Sequence, residues 1–247
     1  MDIIFCGLLR EPDRFKKSLN DLIQLQKEGV VGKIILSTWY NWRQDMKQKP
    51  QRWRFLLDLL TNIKVVESSE PDVHPNMIWH QMKSLEVGLD NTKSKYILKT
   101  RTDVYIDPDF IRGLKENCGN KIWIPWYQRV HPFYMADECF YGPRDKIENL
   151  VNYCEDYDNK YKVEIAPSHV RRWAHSYGYD ILRQHMDGLI TDNALLTHYY
   201  SMLKKWFYVH PGGIEFRWFS GKNIKKKGLD FCCDMKPIEE YERMVSH

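Results

Sequence analysis

The sequence predicts an α/β protein with a mostly parallel central sheet flanked by helices, in a Rossmann-like arrangement. Three observations carry that expectation. Short apolar runs alternate with segments of helical spacing through the first half of the chain, the order of βαβ units with right-handed crossovers. The run that begins at Tyr96 carries Lys99, Arg101 and Asp103 at alternate positions where its apolar character ends, so the three side chains are expected on one strand face. Asp107-Pro108 then reads as an N-cap and first helical residue. A strand that ends in charged residues before a loop and a helix is where open α/β sheets bind ligands.

Each element has a local reason. Asp2 to Cys6 is an apolar run closed by Gly7, the pattern of a buried first strand, and Gly7 to Arg10 form the loop after it. Arg14 to Glu28 is apolar at Phe15, Leu19, Leu22, Ile23 and Leu25, an amphipathic helix that Gly29 ends. Lys33 to Trp39 is a second strand, Arg52 to Leu60 a helix with Trp53, Leu56, Leu57 and Leu60 on one face, and Ile63 to Val66 a third strand. Glu67 to Asn76 has two prolines and no period, so it is a loop. Met77 to Leu89 returns to helical spacing before the Tyr96 strand.

The second half is less regular. Helices are expected at Pro108–Asn117, Arg144–Tyr157, Pro167–Tyr179 and Asp192–Lys204. Strands are expected at Lys121–Pro125 and Cys139–Gly142, around a loop from Trp126 to Glu138. Two more short strands, Trp206–His210 and Ile214–Trp218, flank the turn Pro211-Gly212-Gly213. With no repeat and no dividing linker, residues 1–247 read as one domain, with a ligand-binding half (1–107) and a more helical half (108–247).

Composition narrows the function. The chain has 247 residues, 43% hydrophobic and 28% charged, which is ordinary for a globular protein and excludes disordered, collagenous and coiled-coil classes. A net charge of +4 is too small to point to nucleic acid; it suits an anionic small ligand or an anionic membrane surface. Aromatics reach 14%, with 9 Trp and 15 Tyr. Most belong to a core, and the surplus suits contacts with sugars or bases. Six cysteines show no metal-finger spacing, so free thiols and a reducing compartment are expected. The start of the chain lacks signal-peptide character, no apolar window is long enough for a bilayer, and a cytoplasmic location is expected.

A carboxylate at the tip of a buried strand fits a divalent cation held against a diphosphate, because Mg²⁺ and Mn²⁺ take oxygen ligands and share them with phosphates. Asp103 is that candidate, with Lys99 and Arg101 as direct phosphate contacts. The competing reading is an Arg101–Asp103 ion pair on one strand face.

Lys99-Thr100-Arg101-Thr102-Asp103 resembles the DxD-type block of GT-A fold glycosyltransferases, and in wording the WavE-like lipopolysaccharide-synthesis family. Asn76, Gln81, Ser84 and Gly88, the strand end Ser37-Thr38-Trp39, and Ala136 to Gly142 are similar to further segments of that family. The resemblance implies a GT-A fold with a helical acceptor-side part. The implied activity is transfer of a sugar from a nucleotide-sugar to a glycan or lipid-linked glycan acceptor. It implies donor contacts from Gly7, Leu8, Arg10, Ser37, Thr38, Trp39, Asn76, Gln81, Ser84, Lys99, Arg101 and Asp103. It also implies Mn²⁺ or Mg²⁺ at Asp103, with His210 as a further ligand, unless Lys99 and Arg101 replace the metal. Asp192, which opens a helix after Thr191, is the first choice of general base in an inverting transfer; Asp137 and Glu138 are the second choice, or contacts to sugar hydroxyls. Trp126, Tyr127, His131 and Tyr134 are expected as a sugar platform, and Ser168-His169 depart from the family at an acidic element. Lys222, Lys225, Lys226 and Lys227 suit a diphosphate flap or an anionic, peripheral membrane contact. The rival readings are a nucleotidyltransferase, for which Gly7-Leu8-Leu9-Arg10 is a poor glycine-rich loop, and a non-catalytic glycan-binding module.

Overall fold

The computed structural model describes residues 1–9, 11–40, 47, 50–70, 77–129, 131–151, 173, 176–216, 219–220 and 231–245. The α/β class expected from the sequence is the one observed. A seven-stranded sheet has the order β3-β2-β1-β4-β8-β6-β9. Its first four strands are β1 (Asp2–Cys6), β2 (Ile34–Trp39), β3 (Lys64–Ser68) and β4 (Tyr96–Thr100). They are mutually parallel, with Phe5 opposite Leu36 on one side and Thr100 on the other. Beyond them lie β8 (Phe140–Pro143), antiparallel to its neighbours, then β6 (Ile122–Ile124) and β9 (Phe207–Val209), parallel to each other.

Strand alternation splits the core into two layers. Ile3, Phe5, Ile34, Leu36 and Leu98 face helices α1 (Pro12–Lys27), α2 (Pro50–Leu60) and α4 (Pro108–Cys118). Ile4, Cys6, Ile35 and Ile97 face α3 (Met77–Leu89), α5 (Arg144–Val151) and α7 (Asp192–Trp206). Each layer is set by the period of two along the strands and the apolar stripe of each helix. α3 packs closely over β1: a Cβ at Gly88 would come within 2.4 Å of Ile4 Cγ2. Asp107 caps α4 as expected, accepting from the Asp109 N–H at 2.8 Å, with Pro108 behind it.

Several elements differ from expectation. β4 stops at Thr100, and the chain turns through 101–103, where Val104 N–H donates to the Arg101 carbonyl at 3.1 Å. A short β5 (Val104–Tyr105) follows and pairs with β10 (Glu215–Phe216), which also pairs with β11 (Phe219–Ser220). The Trp126–Glu138 loop holds β7 (Tyr127–Gln128), paired with β12 (Phe231–Cys232). Helix α6 spans Tyr179–Met186, and most of the expected Pro167–Tyr179 helix lies outside the described residues. A final helix α8 (Lys236–Val245), not expected from the sequence, anchors Ile238 in the core. Arg10, Asn76, Ser168, His169 and the lysines at 222 and 225–227 lie outside the described residues.

Candidate functional site

β1, β2, β3 and β4 all end at one edge of the sheet. α1 and α2 cover one face and α3 the other, so the crossover direction reverses between β1 and β4. That switch point is where open α/β sheets leave a crevice, and a cleft of about 200 Å³ lies there. The loop after β1 lends Cys6, Gly7 and Leu8; β2 lends Trp39; α3 lends His80 and Gln81. Glu70 and Arg101 complete the lining. Gly7 sits at φ +90°, a conformation that L side chains rarely adopt. Thr102 Oγ1 donates to the Leu8 carbonyl at 2.9 Å, tying the turn after β4 to the loop after β1.

Of the donor contacts expected from the sequence, Gly7, Leu8, Trp39, Gln81 and Arg101 line this cleft. Ser84 lies beneath it as a latch. Its buried hydroxyl donates to the Ser37 carbonyl at 2.8 Å and accepts from Gly7 N–H at 2.9 Å. Ser37 and Thr38 are fully buried, and their hydroxyls have no hydrogen-bond partner among the described residues. Trp39 is largely buried and meets His80 edge-on at 6.3 Å. His80 and Glu70, 3.8 Å apart, were missed in the sequence. His80 directly precedes Gln81, and Glu70 sits in a loop that offered no periodic signal.

The three alternating charges do not share one strand face. Arg101 Nε donates to Asp103 Oδ1 at 2.9 Å, and Nη2 to Oδ2 at 2.5 Å. The ion pair weighed against the metal reading is therefore present, as a bidentate fork. Burial works against the Arg101 guanidinium, but the bonds to Asp103 together with the charges of Asp103, Asp137 and Glu138 outweigh it and raise its pKa. The Asp103 carbonyl accepts from Arg14 at 3.2 Å. Lys99 is 0% exposed. Its ammonium donates to Gln81 Oε1 at 2.9 Å and to the Asp137 carbonyl at 2.5 Å. The Gln81 amide then donates to Asp137 Oδ2 at 3.2 Å. Lys99 thus orients the amide that holds Asp137, since Oε1 is committed to the ammonium. Glu138 accepts from Trp126 Nε1 at 2.7 Å and from Asp137 N–H at 3.1 Å. Burial, and then the charge of Asp137, push its carboxyl up.

Asp192 and His210 are held elsewhere, by His185 and Gly212. Thr191, not Asp192, caps α7, accepting from Ala194 N–H at 3.3 Å. The Asp192 carboxylate is 95% exposed and 2.6 Å from His185 Nε2. Because α7 runs straight into β9, which parallels β6 and so points the same way as β4, its start lies toward the edge that holds the cleft. The His210 ring stacks on Phe110, 5.0 Å between centroids, and its Nδ1 accepts from Gly212 N–H at 3.0 Å. Of the expected sugar platform, Trp126 and Tyr127 are buried in the core.

Among the described residues, the donor set does not fit a resident divalent ion. Both Asp103 oxygens are turned to Arg101, His210 is held by Gly212, and no group of three His, Cys, Asp or Glu suited to a metal occurs among the described residues.

No family model and no curated protein sequence matches the chain. Its structure aligns with glucosyl-3-phosphoglycerate synthase from Mycobacterium tuberculosis, in complex with Mn²⁺, UDP and phosphoglyceric acid. That alignment has TM-score 0.39 and 15% identity, over 60% of this chain and 57% of that one. It aligns with a nucleotidyl transferase from Methanothermobacter at TM-score 0.39 and 14% identity, over 83% and 95%. A glycosyltransferase involved in glycosylation of the major capsid of PBCV-1 aligns at TM-score 0.40 and 9% identity, over 74% and 76%. The chain spans little more than half of the first of these, and likenesses at this level carry no argument about activity.

Proposed function

We propose that the protein is a glycosyltransferase of the GT-A type that takes a nucleotide-sugar donor in the β1/β4 cleft. The observation that supports it most is the convergence, at a switch-point crevice, of a positive-φ glycine, an aromatic wall and a preoriented guanidinium. Arg101 uses two of its five donors on Asp103. The others serve the donor diphosphate, and Asp103 orients the fork. The acceptor hydroxyl oxygen bonds the anomeric carbon as that carbon's bond to the diphosphate breaks. The nucleoside diphosphate leaves with its charge facing Arg101. In an inverting transfer the acceptor proton passes to a carboxylate, Asp192 or Asp137. A surface-glycan or lipid-linked acceptor follows from the sequence resemblance alone. A cytoplasmic site of action, peripheral to a membrane, fits the five free cysteines among the described residues and the absence there of any helix long and apolar enough to cross a bilayer.

The test is a thermal-shift titration with UDP-, GDP-, CMP- and dTDP-sugars, each with Mn²⁺ and with EDTA. A ligand at a hundredfold excess over its Kd stabilises by about 2.7 kcal/mol, and a chain of this size gains about 2–4 °C per kcal/mol. One nucleotide class is expected to raise Tm by several degrees in EDTA as well as in Mn²⁺, and Arg101→Ala to abolish the rise. No shift with any nucleotide-sugar would sink the reading; a shift that requires Mn²⁺ would sink its metal-independent form.

A further inference from the structure

A second cavity opens at the opposite edge of the sheet. β4 ends beside the donor cleft, while Tyr96, where it begins, faces Pro143, the residue before α5. Asp145, Lys146 and Asn149 of α5 line this cavity, with Tyr177, Asp180 at the start of α6, and Trp206 at the end of α7. Its volume is about 730 Å³, well within the range of small-molecule sites. The length of β4 separates it from the cleft, roughly 13 Å of strand at 3.3 Å per residue.

The lining chemistry selects a ligand class. Two carboxylates and one ammonium nearly cancel, so no single sign of charge gathers there to draw an ion. The same groups are suited to hydroxyls: carboxylates accept, the ammonium donates, and the Asn149 amide does both. Trp206 adds an apolar wall, held by the ammonium groups of Lys146 and Lys205 at 5.0 and 4.6 Å from its ring. The Tyr177 hydroxyl is buried with no partner among the described residues. The indole and phenol rings lie 6.3 Å apart and give the cavity a stiff aromatic side.

We propose that this groove binds an uncharged oligosaccharide segment through its hydroxyls. The proposal does not rest on the donor reading. It is tested on the full chain by isothermal calorimetry and tryptophan fluorescence with maltotriose, cellotriose, laminaritriose, mannotriose and chitotriose at millimolar concentration. At least one is expected to bind. Asn149→Ala and Asp180→Ala, both at exposed positions where folding is not at stake, should each weaken it about tenfold, a change of about 1.4 kcal/mol. Absence of binding by all five, or binding unchanged in both variants, would overturn the proposal. The nucleotide-sugar shift should be the same in both variants as in the parent; its loss there would also overturn a groove separate from the donor cleft.

Discussion

Glu138 shows how much one residue at this site costs and what it returns. Its carboxyl is buried beside Asp137 and titrates above its ordinary range, first because of burial. The unfolded chain takes up that proton only below about pH 4.3, so the native state holds the extra proton between that value and its own raised one. The stability linked to this group is full below the unfolded value and is lost as pH rises through the folded one. Glu138→Gln keeps an acceptor for Trp126 Nε1 and removes the titration. Urea unfolding between about pH 4 and 8 should show the difference in stability moving in favour of the variant as pH rises; a difference constant with pH would refute the assignment. Arg101 and Asp103 were legible as a candidate pair from their spacing. Their pairing geometry was not, because it is set by a turn at 101–103 that leads into β5, whose partner β10 lies far along the chain.

At the scale of elements, α3 is the piece that builds the cleft. It enters from the far edge of the sheet, lies over β1 at Gly88, and delivers His80 and Gln81 to the lining and Ser84 beneath it. The Ser84 hydroxyl joins the ends of β1 and β2 through Gly7 and Ser37. Gly7 N–H also donates to the Ser37 carbonyl at 3.0 Å, so Ser84→Ala leaves neither group unpaired and should cost about 0.5–1.5 kcal/mol, the net worth of a hydrogen bond. It should also weaken the nucleotide-sugar thermal shift, because the Gly7 loop loses an anchor. An unchanged urea midpoint would mean that the latch carries no stability. The period of α3 was plain in the sequence; that one of its polar positions faces inward was not. A small hydroxyl on an apolar face reads the same as one facing solvent until a partner from another strand is known.

Across the whole molecule the two candidate bases stand on different elements. Asp137 is held by Lys99 of β4 and Gln81 of α3, while Asp192 opens α7 and stands against His185. Asp137→Asn and Asp192→Asn should both keep the donor thermal shift. Turnover should fall by about 10²- to 10⁴-fold, the usual contribution of a general base, in one of them alone. Near-normal turnover in both would end the search for a base among these two. The sequence by itself determined the alternation of strands and helices, the caps at Asp107 and the turn glycine Gly7, and the strand that carries Lys99. These follow from periodicity and backbone preference within a dozen residues. Only the tertiary structure decided that Lys99 is buried under residues 38 positions away. It alone decided that Asp103 pairs with Arg101 through a bidentate fork, that Glu70 and His80 meet in the cleft, and that Trp206 lines a groove at the other edge. Those outcomes depend on strand register and on which crossovers pass over which face, and these are set by contacts between segments far apart in the chain.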